Sequence, residues 1–139
     1  MTFYAVIDTN VLVSSLLTSN PQSPTVEIII SIDKGRLTPI YSDYLLSEYE
    51  EVLSRSHFSI PDTIRDQLLW LFKQKGICIE PKETDIDMPD SEDIPIFLIT
   101  METRDLDSYL VTGNIKHYPP VDYVVTPKKM IEILRSMNK

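Results

Sequence analysis

Glycine is scarce in this chain: Gly35, Gly76 and Gly113 are the only three among 139 residues. Their isolation excludes both the G-x-G-x-x-G turn of dinucleotide-binding folds and the phosphate-binding P-loop, which need closely spaced glycines so that backbone amides can approach a phosphate. Cysteine is scarcer still. Cys78 stands alone, so no internal disulfide can form, and its place in the apolar run "GICIE" predicts a buried small hydrophobe in a reducing compartment. One cysteine and two separated histidines, His57 and His117, cannot assemble an ordinary structural zinc site. The G-x-S-x-G nucleophile elbow is missing as well. No apolar run approaches the roughly 18 residues of a membrane span, and no basic stretch followed by an apolar core opens the sequence, so a soluble, unexported, cytoplasmic protein is expected.

Positive charge is also in deficit. Thirteen Lys and Arg against twenty-one Asp and Glu give a net charge of -8, which argues against holding duplex nucleic acid by blanket neutralisation of phosphates. Clustered acids can still meet nucleic acid through bridging metal ions, so a nuclease is not excluded.

What the chain does contain is an alternation of apolar strands and amphipathic helices. Strands are expected at 3–8, 37–41, 77–80, 108–112 and 122–125. Helices are expected at 10–18, 24–34, 43–55, 61–75, 94–103 and 127–137. No repeat, low-complexity tract or long linker interrupts them, so residues 1–139 read as one domain. The alternation predicts a parallel sheet covered on both faces, and "FYAVI" and "SYLVT" are nearly continuous apolar runs, as such a sheet requires. Ligands of these sheets bind beyond the carboxyl ends of the strands, where the strand order switches direction. The residues following the strands are therefore the first places to look.

After the first strand comes Asp8-Thr9-Asn10. Any of the three could cap the helix that follows, yet one cap needs one residue. In "SDYLLSEYEEVLSR" the apolar stripe Leu45, Leu46, Tyr49, Val52 and Leu53 is bordered by Glu48 and Glu50, while Glu51 points away. Periodicity does not choose between Glu48 and Glu50. In "MPDSEDIPIFLIT", Asp90, Glu92 and Asp93 crowd the start of a helix marked by Pro95; the helix dipole favours each of them, but carboxylates brought together repel unless a cation intervenes. "LVTGNIKHYPP" places Thr112 and Asn114 just past another strand, with Gly113 allowing a tight turn and Lys116 and His117 beyond it on the same rim. A plain turn accounts for Thr112 to Asn114 equally well. Oxygen-rich clusters of this kind suit hard Mg²⁺ or Mn²⁺.

In order and spacing, "VIDTNVLVSS", "LLSEYEEVLSR", "PDSEDIPIFL", "DSYLVTGNIKHYP" and "VVTPKKMIEIL" resemble the PIN-domain nucleases, and among them the prokaryotic toxins of toxin-antitoxin pairs. The resemblance runs from about Phe3 to Leu134. It implies an α/β/α sandwich around a parallel, flavodoxin-like sheet, and an acidic pocket that holds one or two divalent ions and hydrolyses RNA. The family's strand-end acid matches Asp8, with Thr9 and Asn10 in the accompanying polar positions. Its helical Glu matches Glu48, and its later acids match Asp90 and Asp93. Asp8, Glu48 and Asp93 are thereby implied as catalytic residues, and these with Asp90 as ligands of Mg²⁺ or Mn²⁺. Thr112 and Asn114 would support them. Asn114 stands where many members have Asp, which puts a second metal position in question. Lys116 is the first candidate to bind substrate, followed by Arg55 and Arg104. An antitoxin protein and a homodimer are the implied partners. Two rivals accompany this reading. A non-catalytic PIN-like module would bind RNA or protein; an aspartyl-phosphate enzyme would need a second Asp two residues after the first, where Asn10 stands.

Overall fold

The computed structural model describes residues 2–81 and 93–136. Its centre is a five-stranded, all-parallel sheet of β1 (Phe3–Ile7), β2 (Leu37–Tyr41), β3 (Ile77–Cys78), β4 (Tyr109–Val111) and β5 (Val124–Val125), in the order β3-β2-β1-β4-β5. Ala5, Val6 and Ile7 are consecutive and fully buried. Successive strand residues face opposite sides, so β1 is covered on both, the reason its sequence does not alternate with polar residues. The expected strands are all present, though the outer two are only two residues long.

Among the described residues six α-helices connect and cover the strands: α1 (Thr9–Leu17), α2 (Pro24–Asp33), α3 (Asp43–Leu53), α4 (Asp62–Lys75), α5 (Ile94–Glu102) and α6 (Pro127–Ser136). Their starts follow from local chemistry. Pro24 opens α2, where its missing N–H costs nothing, and the Ser42 hydroxyl caps α3 by accepting from the Leu45 N–H at 3.1 Å. The amphipathic stripe of α3 buries Leu45, Tyr49 and Leu53, and that of α6 buries Met130, Ile131 and Leu134. No helix among the described residues is long and apolar enough to cross a membrane.

Tyr49 ties α3 to the sheet. Its ring meets Phe72 of α4 edge-on at 5.4 Å between centroids, and its hydroxyl donates to the carbonyl of Ile7, the last residue of β1. Burial, reinforced by Asp8 and Glu48, raises its pKa well above that of an ordinary tyrosine. Gly76, between α4 and β3, is needed for another reason: a Cβ there would stand 2.6 Å from the carbonyl oxygens of both Phe72 and Pro39.

Two expectations are corrected here. Cys78 is exposed, because β3 is the edge strand and its thiol points toward Asp43, with Sγ 3.6 Å from Oδ1, and not under a helix. Arg104 lies with Thr2, Phe3 and Tyr109 at the amino ends of β1 and β4, the wrong end of a parallel sheet for the expected site.

Gly76→Ala should destabilise the protein by about 1 to 3 kcal/mol through overpacking against two immovable carbonyls, visible as a lowered thermal midpoint. Tyr49→Phe should cost about 1 to 2 kcal/mol at neutral pH by leaving the buried Ile7 carbonyl without its donor. Because the folded pKa of Tyr49 is raised, its contribution is complete below the unfolded value of about 10 and is lost as pH climbs beyond it. The stability gap between wild type and Tyr49→Phe, measured by denaturant titration, should therefore be level up to about pH 10 and shrink above it.

Candidate active site

β1 and β4 are neighbours in the sheet although about a hundred residues apart in sequence, and Ile7 registers with Val111. The Asp8 N–H extends that pairing by donating to the Val111 carbonyl at 2.9 Å. The two polar tripeptides that leave these strands therefore emerge side by side.

Asp8 occupies the N-cap of α1, but its carboxylate makes no capping bond. Its Oδ2 instead accepts three side-chain donors: the Thr112 hydroxyl at 2.8 Å, the Asn10 amide at 3.0 Å and the Tyr118 hydroxyl at 3.0 Å. Among the described residues no hydrogen bond reaches Oδ1. Asp8 is only 7% exposed, and a carboxylate so placed needs donors to offset the loss of water. The donors are themselves held. Asn10 Oδ1 accepts from the Gly113 N–H at 3.0 Å, and Thr112 Oγ1 from the Asn114 N–H at 3.0 Å. A Cβ on Gly113 would come within 3.3 Å of Asn10 Oδ1, so a larger residue there would press on the side chain that holds Asp8.

The middle residue of the first tripeptide reaches the other way. Thr9 Oγ1 donates to Glu48 Oε2 at 2.8 Å, bringing α3 to the same crevice. Glu48 is half-buried whereas Glu50 is exposed, so the register of α3, held by Tyr49 against Ile7, separates two residues that periodicity left equivalent.

Asp93 approaches from the start of α5. It too stands at an N-cap without a side-chain capping bond. Its Oδ1 lies 3.5 Å from the Tyr118 hydroxyl, and its Oδ2 lies 3.5 Å from His117 Nδ1. A phenol has one proton, and the shorter contact assigns it to Asp8. Burial, then the charges of Asp8 and Asp93, push the Tyr118 pKa far above the usual range, so the hydroxyl stays a donor.

Asp8, Thr9, Asn10, Glu48, Asp93 and Thr112 thus meet in one connected arrangement. Asp90 lies outside the described residues. Asn114 is exposed and joins through its backbone amide. Lys116 is exposed on the rim, in a short 3-10 turn at Ile115–His117. Arg55 is paired with Glu51 at 2.9 Å. Tyr118 and Tyr49 are the residues sequence reasoning missed. Tyr118 carries no signal in "KHYPP" beyond its closeness to the strand end, since a phenol looks the same whether it fills a core or holds a carboxylate.

The donor set is all oxygen, the kind that suits hard divalent cations. Asp8, Glu48 and Asp93 do not close to contact distance. Among the described residues the only set of three potential ligands within 4.8 Å of one another is Asp43, Cys78 and Glu80, at the carboxyl ends of β2 and β3. All three are exposed, so water serves each of them directly. The wider spacing of the Asp8 crevice fits a cation that keeps several of its waters, as Mg²⁺ does. With Oδ2 of Asp8 saturated, Oδ1 is the atom left to face such an ion.

A family model described as PIN domain matches residues 4–116, a span that includes every one of these acids. Comparison with curated proteins and with solved structures gives no match. The match covers most of the chain, from the second residue of β1 to the turn after β4, and this protein belongs to the PIN domain family, whose members are generally nucleases.

Proposed function

We propose that the protein is a divalent-metal-dependent ribonuclease that hydrolyses phosphodiester bonds at the Asp8 crevice. The observation that carries this is the treatment of two acids: Asp8 and Asp93 both stand at helix N-caps, neither is spent on capping, and one phenol touches both.

Asp8, Asp93 and Glu48, with Asp90, would hold Mg²⁺ or Mn²⁺. When bound, the ion would acidify a coordinated water and stabilise charge on the phosphoryl oxygens. The chain's own residues prepare the place. Asn10, Thr112 and Tyr118 fix the Asp8 carboxylate by one oxygen and leave the other to the crevice. Thr9 holds Glu48, and Lys116 on the rim attracts the phosphate backbone. With a net charge of -8, affinity has to come from the ion and such local bases. Asn114 supplies an uncharged oxygen where an acid would favour a second ion, so one firmly held ion is the expected state. The resemblance supports a cytoplasmic toxin of a toxin-antitoxin pair, with an antitoxin docked on its acidic surface and a homodimer as the implied partners.

Asp8→Asn and Asp93→Asn should each reduce Mn²⁺-dependent cleavage of labelled single-stranded RNA by at least about a hundredfold, as loss of a group that positions a catalytic ion would. Circular dichroism and the thermal midpoint should stay near wild type. Full activity in either purified variant would end the assignment. Tyr118→Phe keeps the ring and removes one of three donors from Asp8; it should lower kcat by about tenfold with KM little changed, since about 1.4 kcal/mol of lost positioning corresponds to that factor.

A further inference from the structure

At the amino ends of β1 and β4, on the opposite edge of the sheet from the Asp8 crevice, lies a recess of about 210 Å³ walled by Thr2, Phe3, Arg104, Leu106, Asp107 and Tyr109. Nothing in the nuclease reading uses it. Its size is below the roughly 300 Å³ at which pockets for drug-sized ligands begin, so an occupant has to be small. We propose that this recess binds a small zwitterion, a free aliphatic α-amino acid, with Arg104 taking its carboxylate, Asp107 its ammonium, and Phe3 and Leu106 its side chain.

Charge is the first argument. Arg104 and Asp107 border the same recess, and among the described residues neither forms an ion pair, with the other or with any third group. A plain anion there would meet the repulsion of Asp107, and a plain cation that of Arg104. A ligand carrying both signs satisfies both. Preorganisation is the second. Arg104 is half-buried, its guanidinium carbon lies 4.1 Å from the centroid of the Tyr123 ring, and one of its nitrogens donates to the Ser108 carbonyl. A guanidinium held by one face and one nitrogen keeps further N–H groups in a fixed plane, the geometry that a carboxylate matches with two oxygens. Asp107 follows the 3-10 turn Arg104–Leu106 in the left-handed conformation, φ 53°, and its N–H closes that turn on the Arg104 carbonyl at 3.0 Å. The two charges therefore stand at the two ends of one short, hydrogen-bonded turn. The walls are the third. Phe3 comes from β1, and Leu106, though apolar, is 36% exposed, so an aliphatic side chain in the recess removes apolar surface from water.

The test uses the full chain with L-leucine as the probe, binding being read by titration calorimetry and by shifts of backbone amide resonances. Leucine should bind and move the amides of Phe3 and of Arg104 to Tyr109 first. Isocaproate, which keeps the carboxylate and lacks the ammonium, and isoamylamine, which lacks the carboxylate, should each bind at least about tenfold more weakly. Asp107→Asn preserves the turn, because Asn adopts the left-handed conformation as readily as Asp. It should weaken leucine by about tenfold or more without weakening isocaproate. Arg104→Gln should lose leucine altogether; melting curves would show whether the loss of its stack on Tyr123 disturbs the fold, and Asp107→Asn carries the test if it does. Asp8→Asn, at the other edge of the sheet, should bind leucine like wild type. No heat and no shifts at about 10 mM leucine, ten times a millimolar Kd, would overturn the proposal. So would isocaproate bound as tightly as leucine, which would make the recess a simple anion site, or an Asp107→Asn variant that binds leucine unchanged. Leucine binding lost in Asp8→Asn would place the ligand in the crevice and overturn it equally. None of these results bears on whether the protein cuts RNA, so the recess and the nuclease reading stand or fall separately.

Discussion

The candidate site depends on β1 and β4 being hydrogen-bonded neighbours. The sheet grows from β1 through β2 to β3 on one side and then from β4 to β5 on the other, so the chain changes direction of growth between β1 and β4. At that switch the two connections leave toward different parts of the molecule and a crevice opens between them. Asp8 extends the pairing by one backbone bond to Val111, and its side chain is then beside Thr112 with no freedom to be elsewhere. Were β4 on the far side of β2, the same tripeptides would be two ordinary helix and turn starts.

That adjacency creates an electrostatic problem and supplies most of its solution. Asp8 is nearly enclosed, and the charge it carries there is costly without partners. Three donors on a single oxygen meet that cost, and each donor is positioned by something else: Asn10 by the Gly113 amide, Thr112 by the Asn114 amide, Tyr118 by its buried ring. The carboxylate is therefore oriented in advance, which is what a site that binds an ion and keeps some of its waters requires. Glu48 is oriented independently, through Thr9 and through the anchoring of its neighbour Tyr49 to Ile7.

Two mouths open at the carboxyl edge of this sheet, and they differ in burial. Asp43, Cys78 and Glu80 gather tightly but in the open, where water serves each of them; Glu80 is occupied in accepting from the Asp43 N–H at 2.9 Å. At the Asp8 crevice the acids are wider apart but enclosed and joined through hydroxyls. Enclosure strengthens charge interactions that open water would screen, so the looser cluster is the better candidate for chemistry.

The amino-acid sequence by itself determined the alternation of strands and helices, the burial of both faces of "FYAVI", and the presence of polar tripeptides at the ends of two strands. These follow from local rules of side-chain periodicity and capping, and they needed no knowledge of which strand lies beside which. Where long-range packing intervened, local reading failed or stayed open. Cys78 looked buried because its neighbours are apolar, but β3 is an edge. Arg104 looked available until the parallel sheet put it at the opposite end from the acids. Glu48 and Glu50 flank one stripe symmetrically, so periodicity left them equal; the family resemblance pointed to Glu48, and the anchoring of Tyr49 supplies the physical reason. Tyr118 gave no sign at all. Its role exists because a ring packed below the turn after β4 carries a hydroxyl to two carboxylates from distant parts of the chain. Only the tertiary structure decided that convergence, because hydrogen bonds between residues a hundred positions apart are set by strand order, and strand order leaves no local trace.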